Sequence, residues 1–217
     1  AAGRANPSSN IAPCSSTWVV AINCARAHEG IGPLPVDLQA LETMSVPEQL
    51  FALTDYERVA RGLPPFSAMT SRLDATAQIG AVHAVDPPLV AVPASSWAGG
   101  VWSGGIPSAL GAMYEWMYQD GFTAVHGINV DCPVSGAPGC WGHRDNILHP
   151  ALTCSKRSPS LTVGAAEDRA VANDSIAMTL LISCSGTPGT VTYTWSQAQA
   201  AATGRARAAS RAAGRAG

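Results

Sequence analysis

Apolar residues recur at helical spacing through much of the first 120 positions and give way to β-branched runs after position 150. The run W-V-V-A-I-N-C-A-R-A-H-E-G-I-G-P-L from Trp18 to Leu34 predicts a helix ended by glycine and proline. Ser45 opens a second: Glu48 completes a capping box, Pro47 suits a first turn, and Ala52, Leu53, Tyr56, Val59 and Leu63 form a broad apolar face. Asp55 and Arg58 are spaced to pair on it. A third helix is predicted over 67–84, where Leu73, Ala77, Gly80, Ala81 and Ala84 let another element approach closely, and a fourth over 107–119, with Ile106, Leu110, Met113 and Met117 turned inward. Between them, S-S-W-A-G-G-V-W-S-G-G reads as a loop or irregular strand, because the helix-leading G-x-x-x-x-G-K of a phosphate cradle is missing. Strands are expected over 160–166, 175–184 and 191–195.

One polar pattern occurs twice. Asn23, Arg26, Gly30 and Pro33 match Asp55, Arg58, Gly62 and Pro65 at an offset of 32, both reading [N/D]-x-x-R-x-x-x-G-[I/L]-x-P-[L/F]. Two copies are too few for a solenoid and read as two similar helix-to-loop exits. Residues 1–16 read as a flexible arm, 17–44 as a helical N-terminal extension, 45–195 as the main domain, and 196–217 as a disordered Ala/Arg-rich tail.

Composition narrows the class. A chain of 217 residues that is 47% apolar can bury one sizeable core, and its apolar runs are too short to cross a bilayer. Six cysteines fall as local pairs, Cys14 with Cys24, Cys132 with Cys140 and Cys154 with Cys184, although other connectivities are open. Zinc-type spacings are missing, so disulfides and an oxidising, extracellular or cell-envelope location are expected. The start A-A-G-R-A-N-P fits a mature form whose leader was removed, with an unprocessed cytosolic chain as the rival. Arg205, Arg207, Arg211 and Arg215 leave 9 basic against 15 acidic residues elsewhere, which argues against nucleic acid as a partner. Those arginines suit an anionic surface, and Asn173-Asp174-Ser175 fits a glycosylation sequon.

The chain converges on C-P-V-S-G-A-P-G-C-W-G-H-R-D-N-I-L-H-P, from Cys132 to Pro150. Gly142 is expected to supply the turn, and His143–Leu148 a short helix with Ile147 and Leu148 inward and His143 and Arg144 facing a groove. His143 is a groove base or ligand on one reading and a structural imidazole on the other. His28 and Glu29 read as capping or surface groups, His149 as a solvent-facing loop residue, and His126 as part of a loop over the groove. Trp97, Trp102, Trp116 and Trp141 either line the groove or fill the core. There is no G-x-S-x-G elbow, and no free thiol if all six cysteines pair.

Helices, then G-H-R-D-N-I-L, then closing strands, with D-Y-E-R-V-A-R-G-L-P-P-F upstream and Trp116 in the fourth helix: this order resembles the CAP superfamily of cysteine-rich secretory, antigen 5 and pathogenesis-related proteins, in its bacterial branch, over about residues 45–195. The resemblance implies an α+β fold, a disulfide-stabilised three-layer α-β-α sandwich, with a groove in which two histidines and two acids hold a divalent cation. Position by position, the first histidine falls at Gly80, the first acid near Ser95 and Ser96 before Trp97, and the second at Gln119, so that only His143 remains. His83, Glu115 and Asp120 stand nearby but out of register. The expectation is therefore a degenerate groove around His143, Arg144, Ser95, Ser96, Trp97, Trp116, Gln119 and His83, with no metal and no cofactor. The expected function is that of a secreted, monomeric, non-catalytic binding module for a lipid, sterol or wall glycan. A secreted hydrolase or protease using His143 as the base for a serine is the alternative.

Overall fold

Among the described residues five strands form one sheet, and the chain reaches them in an order that leaves its first helices to cover one face. The computed structural model describes residues 17–89, 95–122, 131–170 and 174–205. Helices α1 (Trp18–His28), α2 (Leu38–Leu41) and α3 (Val46–Ala60) are followed by β1 (Ala68–Thr70), α4 (Ser71–His83), β2 (Ser96–Gly104), α5 (Ala109–Tyr118) and α6 (Gly142–Ile147). Strands β3 (Ser160–Asp168), β4 (Ser175–Ser183) and β5 (Val191–Thr194) and helix α7 (Trp195–Ala202) complete the α+β fold. The sheet order is β2-β4-β3-β1-β5. All pairings are antiparallel except β1 with β3.

Alternation along the strands decides what each face covers. Leu161, Val163 and Ala165 of β3, with Ile176, Met178, Leu180 and Ile182 of β4, join Phe51, Leu53, Met113 and Trp116 in the main core. Residues of opposite parity, Ala166 and Ala177, pack with Ala77 and Ala81 of α4. Helix α4 comes down onto β3 at Gly164, where a Cβ would stand 2.0 Å from the Leu73 backbone.

Three expectations need correction. The helix predicted from position 67 begins at Ser71, because Ala68 and Met69 are drawn into the sheet beside Thr162 and Val163. The glycine-rich aromatic stretch is a regular strand: all nine residues of β2 pair with β4. The tail is not uniformly disordered, since α7 is capped by a Thr194–Gln197 box and seats Ala198 and Ala202 fully in the core. Low complexity there is a small-residue helix face; Arg207, Arg211 and Arg215 lie outside the described residues. Within 17–44, read from sequence as a helical extension, Ala21, Ile22 and Ala25 belong to the main core.

Disulfides join Cys132 to Cys140 and Cys154 to Cys184, as the spacing predicts. Cys24 is also disulfide-bonded, while Cys14, His126 and Asn173 lie outside the described residues. Among the described residues no helix is long and apolar enough to cross a membrane.

The repeated sequence pattern is a repeated structure. Asn23 Oδ1 accepts the Leu34 amide at 2.8 Å, and Asp55 Oδ1 accepts the Phe66 amide at 2.7 Å. The Arg26 Nε donates to the Gly32 carbonyl at 2.7 Å, and the Arg58 Nε donates to that of Pro64 at 2.9 Å. Gly30 and Gly62 hold φ of +69° and +73°, the left-handed region in which a side chain is strained. Each helix thus ends by folding its exit loop back over an arginine.

Of the two, Arg26 enters a buried ionic cluster, whereas Arg58 spends its donors on backbone carbonyls. Arg26 and Arg61 both pair with Glu57, and Arg61 and Arg144 both pair with Glu29. Glu29 is no surface group: it lies 11% exposed between two guanidinium groups. Burial would raise Glu57, but Arg61 and Arg26 outweigh it and hold the carboxylate below its ordinary value.

Candidate functional site

Helix α6 is six residues long and cannot stand alone, so its position depends on what grips each end. At its start, Asp120 Oδ2 accepts the His143 amide at 2.7 Å and the Arg144 amide at 3.3 Å, while the Asp120 carbonyl accepts the Trp141 amide. At its end, Arg58 donates to the carbonyls of Ile147 and His149 at 2.6 and 3.0 Å. On its side, Asn146 Nδ2 donates to the Gly100 carbonyl of β2 at 2.8 Å. The left-handed residue that turns the chain into α6 is Trp141, with φ of +63°, and not the expected Gly142.

That frame presents His143 between two carboxylates. Its Nδ1 lies 2.8 Å from Asp120 Oδ1 and its Nε2 3.3 Å from Asp86 Oδ1. The imidazole is 15% exposed, Asp120 2% and Asp86 45%, so the pair is anchored inside and open outside. Burial would lower the His143 pKa, but bonds to and charges of Asp120 and Asp86 push it up to about 10. Burial raises Asp120 against the pull of His143, and likewise raises Glu115, which accepts a hydrogen bond from Ser103.

Beside His143 opens a cleft of about 590 Å³. Asp86, Asp131, His143 and Asn146 supply its polar atoms, and Pro, Ala and Gly residues supply the rest. A ligand atom from each of Asp86, Asp131 and His143 falls within 4.8 Å of the others. Asp86 reaches the cleft because Ala84 ends α4 in a left-handed conformation and Pro87 then packs on Gly80 and Gly100. Gly80 is the position at which the resemblance implies the first imidazole. A Cβ there would meet Pro87 at 2.8 Å, so no histidine fits beneath this loop.

Of the residues expected in the groove, His143 alone lines this cleft among the described residues. Arg144 points the other way: its fully buried guanidinium donates to the Met117 carbonyl and pairs with Glu29 at 2.9 Å. Ser95 bonds the Cys184 amide through its carbonyl, and Ser96 bonds Ser183 across the strands at 2.8 Å. Trp97 stacks on His149 with ring centroids 3.9 Å apart, so His149 is not simply solvent-facing. Trp116 is a core residue whose Nε1 donates to the Trp102 carbonyl at 2.9 Å, and buried Gln119 ends α5 beside the Tyr114 hydroxyl. His83 is exposed at the end of α4. Asp120, out of register in the sequence, is brought in by the turn after α5.

Asp86 and Asp131 were not anticipated. A signal for Asp131 exists: it precedes Cys132 while His143 follows Cys140 by three positions, so one bridge with a Cα–Cα distance of 4.5 Å draws the two together. Nothing local marks Asp86. No protein-family model, curated protein or solved structure matches this chain.

Proposed function

We propose that this chain is a CAP-like three-layer α-β-α domain, secreted and disulfide-stapled, that binds a polar extracellular ligand at the His143 cleft without catalysing its turnover. One observation carries the non-catalytic reading: both His143 ring nitrogens face carboxylates, and no hydroxyl bonds to the ring among the described residues. The Asp120–His143 pair has the form of a base and its orienter, yet the hydroxyls of Ser96 and Ser103 are bonded to Ser183 and Glu115 instead. The cleft favours a glycan over a lipid or sterol. Among the described residues it presents carboxylates and an amide and no large aliphatic or aromatic wall, whereas apolar ligands are held mainly by apolar walls.

The test is co-sedimentation of the oxidised protein with insoluble bacterial cell-wall glycan, beside sterol-containing vesicles. The glycan is expected to carry the protein down and the vesicles to leave it in solution. Asp131→Ala should weaken retention, with no soluble fragments released. Sedimentation with vesicles alone would replace the ligand class, and fragment release abolished by His143→Ala would replace binding with hydrolysis.

A further inference from the structure

Asp86, Asp131 and His143 come from three separate segments: the exit of α4, the residue before the Cys132–Cys140 bridge, and the first turn of α6. The bridge draws Asp131 and His143 together, and Asp86 joins them from 57 positions away, so that two carboxylates and an imidazole stand within 4.8 Å. We infer that these three side chains form a divalent transition-metal site, with zinc the best-fitting ion, on the wall of the ligand cleft. Its donor set differs from the groove tetrad that the resemblance implies, sharing only His143.

Three features fit zinc. Ligands at about 2.0–2.1 Å in a tetrahedron stand about 3.3 Å from one another, and His143 Nε2 is already 3.3 Å from Asp86 Oδ1. Asp131 and Asp86 are exposed, so neither carboxylate is packed in the core. The imidazole is oriented from behind, with Nδ1 held by buried Asp120, and zinc at Nε2 would displace the proton that the two carboxylates favour there; a carboxylate–histidine–metal relay fixes a ligating ring in this way. One nitrogen and two carboxylate oxygens suit zinc better than calcium or magnesium, which take all-oxygen shells. Three protein donors leave a coordination position free for an oxygen of a bound ligand.

This deepens the proposed binding role by naming what contacts the ligand, and it rests on the same cleft. Isothermal titration of zinc chloride into the oxidised, chelator-treated protein at pH 8 is expected to show one site. His143→Ala should abolish it, Asp131→Asn should weaken it at least about tenfold, and Asp120→Asn, which leaves all three donors in place, about 10–100-fold. His83→Ala, at an exposed imidazole outside the cleft, should bind as the parent does. Circular dichroism melts establish that each variant is folded. Magnesium in place of zinc should give no comparable heat. No zinc heat, or an affinity unchanged by both His143→Ala and Asp131→Asn, overturns the site. Glycan sedimentation with and without EDTA separates the two proposals: retention unaffected by EDTA in a protein that takes no zinc sinks the metal alone, whereas zinc binding without sedimentation sinks the glycan reading alone.

Discussion

Asp55 shows how one carboxyl is used as if it were an amide. It occupies the place that Asn23 fills in the first helix exit, with the same bond to a backbone N–H eleven residues on. Burial pushes its pKa well above the ordinary carboxylate range, opposed by the Phe66 amide and the Arg58 charge. The folded state therefore keeps a proton that the unfolded chain releases. This contribution is fully present below the unfolded value and is lost as pH rises through the folded one. Asp55→Asn retains the acceptor without the charge. Urea denaturation should find it more stable than the parent at pH 8, with a flatter dependence on pH. Asp55→Ala strands the Phe66 amide and should cost about 1–3 kcal/mol. A less stable Asp55→Asn at pH 8 would contradict this account.

At the scale of elements, the two helix exits and the ionic cluster are separable. A Cβ at Gly30 or Gly62 meets nothing within 4 Å, so alanine there is resisted by backbone conformation alone. Gly30→Ala and Gly62→Ala should each lower stability by about 1–2 kcal/mol, with similar losses in thermal melts. Glu57→Gln has a different cost, because it leaves fully buried Arg26 and Arg61 without their shared counter-charge. A loss of about 3–5 kcal/mol is expected. The exits were legible because their polar residues recur at fixed spacing. The capping box at Ser45 and the small-residue stripe of α4 were local in the same sense. The site was only partly legible, since Asp120, Asp86 and Asp131 meet His143 through contacts 23, 57 and 12 positions apart, which no periodicity reports. Arg144 shows the converse: its neighbour faces the cleft, but its own side chain turns inward to Glu29, a partner 115 positions away.

For the whole molecule, the two described bridges do different work. Cys154–Cys184 closes a 30-residue separation and Cys132–Cys140 one of 8. Loop-closure entropy assigns about 3–4 kcal/mol to the first and about 2–3 kcal/mol to the second. Paired Cys→Ser variants in chemical denaturation should preserve that order, and only loss of the Cys132–Cys140 bridge should also impair the cleft. The sheet itself has an edge at β2, whose Gly100 and Trp102 carbonyls are already occupied by Asn146 and Trp116. Strands left with free acceptors along an outer margin recruit other chains and assemble into aggregates. The side chains that seat α6 and α5 therefore also guard against self-association, and the hazard of losing Asn146 is measured in colloidal behaviour as much as in binding.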